Sequence, residues 1–124
     1  MTTKIGGILF RCLDKKKTAK FYAKLGLTIV EHEHGGPLHF EIGPAASTMV
    51  VELYNASDYY PRDAIMIMVD SLKKSLGKIK KLGIVPKTSI IENRGFVLIY
   101  ITDPDGRDVM LFQREKRRAK SKRK

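Results

Sequence analysis

Cysteine is nearly absent from this chain: Cys12 stands alone among 124 residues. One thiol excludes an intrachain disulfide, and without a Cys-x-x-Cys pair there is no thiolate zinc site. Cys12 lies in an apolar stretch and is read as a packed small hydrophobe. Long apolar runs are missing too. None approaches the roughly 20 residues that span a bilayer, and the opening Met1-Thr-Thr-Lys lacks a signal-peptide core, so a soluble cytoplasmic protein is expected. Acids are scarce, 13 against 24 Lys and Arg, which leaves a net charge of +11. Core material is plentiful: 43% hydrophobic over 124 residues suffices for one globular domain.

The excess charge is concentrated at one end. Residues 114–124 carry eight basic groups and one acid, Glu115, and so hold +7 of the +11. A segment whose only apolar residue is one alanine cannot bury enough surface to offset ordering entropy, so Arg114 to Lys124 is expected to be a disordered tail. It would act as a solubilising extension or as a weak, salt-sensitive handle for polyanions. The body, residues 1–113, keeps only +4, an ordinary value for a soluble domain.

What is present is a repeat. Ile8 through Leu27 aligns without a gap on Ile65 through Ile84, an offset of 57 residues, and Val51-Glu52-Leu53-Tyr54 aligns on Val109-Met110-Leu111-Phe112 at 58. A fixed-period self-match means that one supersecondary unit is used twice and that a groove lies between the copies. In the first copy a strand over Lys4–Cys12 leads to an Asp14 N-cap and a helix ending at Gly26, with Tyr22 and Leu25 facing inward. In the second, Ser71 caps a helix that ends at Gly83, and Leu72, Leu76, Ile79 and Leu82 form an apolar stripe under a lysine-rich face. Three short strands follow each helix: Leu27–Glu33, Leu38–Ile42 and Thr48–Tyr54, then Pro86–Ile91, Phe96–Thr102 and Asp108–Gln113. Gly35-Gly36-Pro37, Gly43-Pro44, Glu92-Asn93-Arg94-Gly95 and Asp103-Pro104-Asp105-Gly106 supply the turns. The expected fold is α+β: two tandem βαβββ modules, about 4–55 and 63–113, in one domain.

That pattern, with Phe21-Tyr22-x-x-Leu25-Gly26-Leu27 and Tyr100-Ile-Thr-Asp-Pro-Asp-Gly106, resembles the vicinal oxygen chelate superfamily of glyoxalases, bleomycin resistance proteins and extradiol dioxygenases. The likeness runs from Ile5 to Gln113. It implies a curved eight-stranded mixed sheet around a central cavity with a divalent metal at its floor. The four ligand positions it implies are Gly7, Glu52, Ala64 and Met110, and the repeat supports that register, since Gly7 is matched with Ala64 and Glu52 with Met110. One carboxylate beside a thioether offers too few donors, so no metal and no cofactor are expected at this floor.

If Gly7 and Ala64 face inward, alternation along the strands brings Leu9, Arg11, Met66 and Met68 to the same face. Glu52 brings Val50 and Tyr54, and Met110 brings Phe112. Tyr100 matches the substrate-facing tyrosine of extradiol dioxygenases, and Leu98 shares its face. Small residues at 7 and 64 are expected to leave room for a ligand. Arg11 matches a first-strand arginine that contacts a carboxylate in glyoxalase I, so a planar anion is a plausible partner. Glu52 could pair with Arg11, bind a cationic group, or act as a general base. Met66, Met68 and Met110 are either core filling or ligand contacts.

The histidines form a separate constellation. If Gly35-Gly36 is a two-residue turn, His32 falls opposite His39 with His34 on the same face, most simply an exposed polar face, though three imidazoles can hold adventitious metal. Three functional readings follow. The first is metal-independent binding of a small, anionic or carboxylate-bearing molecule. The second is a lyase- or isomerase-like enzyme with Glu52 as acid or base, Arg11 and Tyr100 holding substrate. The third is a nucleic-acid-associated module acting through the tail. A homodimer is expected, with modules paired within or between chains.

Overall fold

Both helices begin where the sequence offers a side-chain acceptor. The Asp14 carboxylate accepts from the Lys16 and Lys17 amides, and the Ser71 hydroxyl from the Lys74 amide. Both end at a glycine in left-handed conformation, Gly26 at φ 98° and Gly83 at φ 79°. The computed structural model describes residues 3–32, 38–42, 49–58, 60, 62–93 and 95–115. Within them the order is β1 (Thr3–Cys12), α1 (Lys15–Lys24), β2 (Ile29–His32), β3 (His39–Ile42), β4 (Val50–Asn55), β5 (Ala64–Val69), α2 (Leu72–Lys81), β6 (Ile91–Asn93), β7 (Phe96–Thr102) and β8 (Asp108–Arg114). This is the βαβββ unit twice. Among the described residues no helix is long and apolar enough to cross a membrane.

The strands form one curled sheet in the order β2-β3-β4-β1-β5-β8-β7-β6. The two sequence offsets reappear as strand register. Gly7 lies beside Val50 in the parallel β1–β4 ladder, and their counterparts Ala64 and Asp108 lie side by side in the parallel β5–β8 ladder. The modules meet through antiparallel pairing of β1 with β5, where Ile8 faces its own repeat partner Ile65. A pseudo-twofold axis therefore passes between those two residues. The modules of this chain pair with each other, so pairing them between chains is not needed to complete the sheet.

The helices cover one face. Ala19 and Tyr22 of α1 pack on Cys12, Ile42 and Leu53, while Leu72 and Ile79 of α2 pack on Val69, Ile99, Val109 and Leu111. Leu25 and Leu82 do not join these contacts; they are 65% and 68% exposed. Each is the C-cap residue of its helix, where the chain turns away and the buried stripe has already ended at Tyr22 or Ile79. A second difference lies in the segment expected to be a strand from Pro86: β6 starts at Ile91. Residues 86–90 still run along β7, through the Lys87 amide donating to the Tyr100 carbonyl at 2.7 Å and the Tyr100 amide donating to the Thr88 hydroxyl at 3.2 Å. A proline without an N–H and a side-chain acceptor in place of a carbonyl break the regular ladder. Lys87 also pairs through Nζ with the buried Asp108 carboxylate at 2.9 and 3.1 Å.

Two expectations about the chain's small and charged segments change. Gly7 does not leave room: a Cβ there would stand 2.2 Å from the Val50 carbonyl oxygen, so β4 has closed onto β1. The preceding Gly6 sits at a register shift in the β1–β5 ladder and holds the Phe112 ring against its backbone, 2.8 Å from the ring tip to where its own Cβ would be. The ordered body also reaches beyond residue 113. Arg114 ends β8 with its guanidinium 5.7 Å from the Phe96 ring centre, and the Glu115 amide donates to the Gly95 carbonyl at 2.9 Å. The remainder of the proposed tail, 116–124, and the turns at 33–37 and 43–48 lie outside the described residues.

Gly7→Ala is expected to cost about 3 kcal/mol or more in chemical denaturation, because the clash is with main chain. Gly6→Ala should cost less, since a ring can swing aside. Deleting residues 116–124 removes seven basic residues and no acid; heparin binding should weaken sharply and lose its salt dependence with the melting temperature nearly unchanged. Deleting from Arg114 should lower stability by a further ~1 kcal/mol.

Candidate functional site

Alternation along β1, β4, β5, β7 and β8 sends one set of side chains to the helix-free, concave face. Leu9, Met66, Leu98, Tyr100, Met110 and Phe112 are buried together with Ala64, and Val50, Tyr54, Met68 and Tyr60 pack against them. Glu52 lies beside Leu9 and Arg11 beside Tyr54 in the β1–β4 ladder, so both share that face. The eleven residues placed there from sequence therefore do converge. Their roles differ. Met66 and Met110 are 5% and 9% exposed, which is the burial of core residues, whereas the charged pair lies toward the first module.

Arg11 is held among aromatic rings. Its main-chain amide donates to Asp63 at 2.8 Å, tying the end of β1 to the residue before β5. Its guanidinium carbon lies 4.9 Å from the Tyr54 ring centre and 4.8 Å from that of Tyr60, and Nη2 donates to the Tyr100 hydroxyl at 3.4 Å. Tyr60 closes the cage by packing on Tyr100, with ring centres 5.3 Å apart. An ion pair between Arg11 and Glu52 across the first and fourth strands is not formed among the described residues. Arg11 keeps its donors in a partly buried aromatic setting, where cation–π contacts satisfy the charge without using all of its N–H groups.

Burial also tunes the tyrosines. Desolvation pushes the Tyr54 hydroxyl well above the ordinary phenol range; the Glu52 charge raises it further and Arg11 opposes. Tyr100 is raised as well, chiefly by desolvation, with the Arg11 charge and hydrogen bond pulling the other way. Both are neutral at physiological pH, so each retains a proton to donate.

Glu52 belongs to a second cluster, which contains the histidines. In the β2–β3 hairpin His32 lies opposite His39, in the expected register, and in the β3–β4 ladder Glu41 lies directly opposite Glu52. His39 is 1% exposed rather than part of an exposed polar face. Its Nε2 is 3.2 Å from Glu41 Oε2 and 3.8 Å from Glu52 Oε2, while His32 Nε2 is 3.6 Å from Glu41 Oε1. The His39 ring stacks on Tyr54 with centres 4.6 Å apart. His34 lies outside the described residues. The histidines and Glu52, read from sequence as separate features, are thus one constellation. Two participants were missed: Glu41, which shares a face with His39 by alternation, and Tyr60, whose position between modules no periodicity could assign.

A different concavity lies on the outer surface, about 330 Å³ in volume and lined by Lys16, Ala19, Lys20, Ala23, Ile29 and Phe40. It is open and lacks the convergent polar groups that orient a ligand.

No sequence-family model matches the chain, and no curated protein matches it by sequence. Solved structures do match by shape. A hypothetical protein from Bacillus halodurans C-125 superposes with a TM-score of 0.71 at 14% identity, over 95% of this chain and 99% of the other. A methylmalonyl-CoA epimerase from Mycobacterium tuberculosis gives 0.67 at 15% identity, over 92% and 88%. A glyoxalase/bleomycin resistance protein/dioxygenase superfamily member from Vibrio splendidus 12B01 gives 0.64 at 12%, over 90% and 99%. The fold is that of the vicinal oxygen chelate proteins.

The tyrosine shifts make stability fall at alkaline pH. Below about pH 10 folded and unfolded chains both keep the phenol protons; above it the unfolded chain releases protons that Tyr54 and Tyr100 retain when folded, so unfolding becomes more favourable as pH rises. Denaturant titrations at about pH 9 and pH 11 should show this loss, and Tyr54→Phe should diminish it.

Proposed function

We propose that this chain, built on the vicinal oxygen chelate fold, binds a small carboxylate-bearing molecule on its concave face and anchors it on Arg11 without a metal ion. The observation that carries this reading is the state of the Arg11 guanidinium: it is flanked by the Tyr54 and Tyr60 rings, steered by the Tyr100 hydroxyl, and pairs with no carboxylate among the described residues. A planar anion meets a planar fork of donors there, with aromatic walls for its apolar part and a Tyr100 proton for a further hydrogen bond. The acid–base alternative is less well supported, because Glu52 is directed at His39 while Arg11 and Tyr100 contact each other.

A thermal-shift screen of the full chain, in chelator and at about 0.15 M salt to screen the basic terminus, tests this with small mono- and dicarboxylates against their amides. Carboxylates are expected to raise the melting temperature and amides not. Arg11→Met should keep the fold and lose about 1.5 to 3 kcal/mol of binding, roughly 10- to 100-fold in affinity. Binding that survives Arg11→Met unchanged would overturn the anchor. Chemical conversion of a bound carboxylate that stops in Glu52→Gln would favour the enzyme instead.

A further inference from the structure

The geometry points to a divalent transition-metal site on β3 and β4, made by His39, Glu41 and Glu52, with His32 of β2 as the residue that orients Glu41. It stands independently of the Arg11 anchor. Its ligands come from the first module alone, and of the four floor positions read from sequence, Gly7, Glu52, Ala64 and Met110, it uses only Glu52.

Distance is the first support. The candidate donor atoms of His39, Glu41 and Glu52 all lie within 4.8 Å of one another, with His39 Nε2 at 3.2 Å from one carboxylate and 3.8 Å from the other. Around an ion with bonds of about 2.1 Å, neighbouring donors stand about 3.0 Å apart in an octahedron and about 3.4 Å apart in a tetrahedron. Small rotations of the two glutamate side chains close the difference. Electrostatics is the second support: Glu41 and Glu52 are directly opposite on adjacent antiparallel strands, a placement in which like charges repel. A dication between them turns that repulsion into attraction.

Rigidity is the third. His39 is 1% exposed and its ring is stacked on Tyr54, so Nε2 is aimed at the carboxylates by packing. Glu41 turns its two oxygens separately, Oε2 to His39 at 3.2 Å and Oε1 toward His32 at 3.6 Å, which puts His32 where the outer partner of a ligand carboxylate stands. One imidazole and two carboxylates, without thiolate, suit a borderline ion such as Zn²⁺, Ni²⁺ or Co²⁺ better than Mg²⁺ or Ca²⁺, which favour all-oxygen shells.

Chelator-treated, tag-free full chain titrated calorimetrically with Zn²⁺, Ni²⁺ and Mg²⁺ tests the site. One equivalent of Zn²⁺ or Ni²⁺ should bind, with Mg²⁺ at least about 100-fold weaker. Glu41→Gln and Glu52→Gln should each weaken Zn²⁺ binding by about 100-fold or more, His32→Ala by about tenfold, and Arg11→Met not at all. X-ray absorption of the Zn²⁺-loaded wild-type chain gives a second readout that needs no variant: a shell of oxygen donors with one imidazole. Absence of saturable binding, binding indifferent to both glutamate substitutions, or a shell of three imidazoles would overturn the assignment. Loss of carboxylate binding in Arg11→Met alongside intact Zn²⁺ binding would separate this site from the anion anchor.

Discussion

Everything on the concave face depends on the antiparallel ladder between β1 and β5. Each module by itself is a four-stranded sheet with one helix, and β1 and β5 would each be an edge with unpaired main-chain groups. Joining them satisfies both edges at once and places Ile8 against its repeat partner Ile65, so the two modules are related by near symmetry. The ladder is also irregular where it matters. The shift at Gly6 and the absence of side chains at positions 6 and 7 let Val50 and the Phe112 ring close onto β1.

One consequence is an asymmetric inner face. Toward the second module it is filled by Met66, Leu98, Met110 and Phe112, which behave as core. Toward the first module it is polar, with Arg11 among three tyrosines and His39 between two glutamates. Tyr54 belongs to both groups: its ring touches the Arg11 guanidinium and stacks on His39, and its hydroxyl feels the opposed charges of Arg11 and Glu52. The two copies of one pattern thus differ in what they present inward, one an apolar packing and the other a set of charged and aromatic groups. The apolar half holds the sheet together so that charged groups can be kept partly buried in the other.

Much of this was legible in order along the chain. Asp14 and Ser71 mark helix starts because their side-chain oxygens accept from amides that have no partner within the helix, and Gly26 and Gly83 mark the ends because few other residues adopt a left-handed turn. Given the inward positions 7, 52 and 64 that the family resemblance implies, alternation placed Leu9, Arg11, Tyr54 and Met66 on one face; the resemblance itself supplied Tyr100, and the hairpin register set His32 against His39. Leu25 and Leu82 misled because apolar spacing says which side of a helix a residue is on, but not that the helix has already left the sheet.

The sequence by itself determined the periodic things: a duplicated βαβββ unit, its caps and the alternation of its strand faces. These follow from rules that act within a few residues or at a fixed repeat, so the order of residues contains them. Only the tertiary structure decided which strands became neighbours and how closely. Parallel pairing brought Glu52 beside Leu9 and Arg11 beside Tyr54, and antiparallel pairing put Glu41 against Glu52. Tyr60, from the segment between modules, came to lie over Arg11. Distances of 3 to 5 Å between residues tens of positions apart, as from Arg11 to Tyr54, Tyr60 and Tyr100, depend on sheet order, curl and register together, and no local pattern encodes all three.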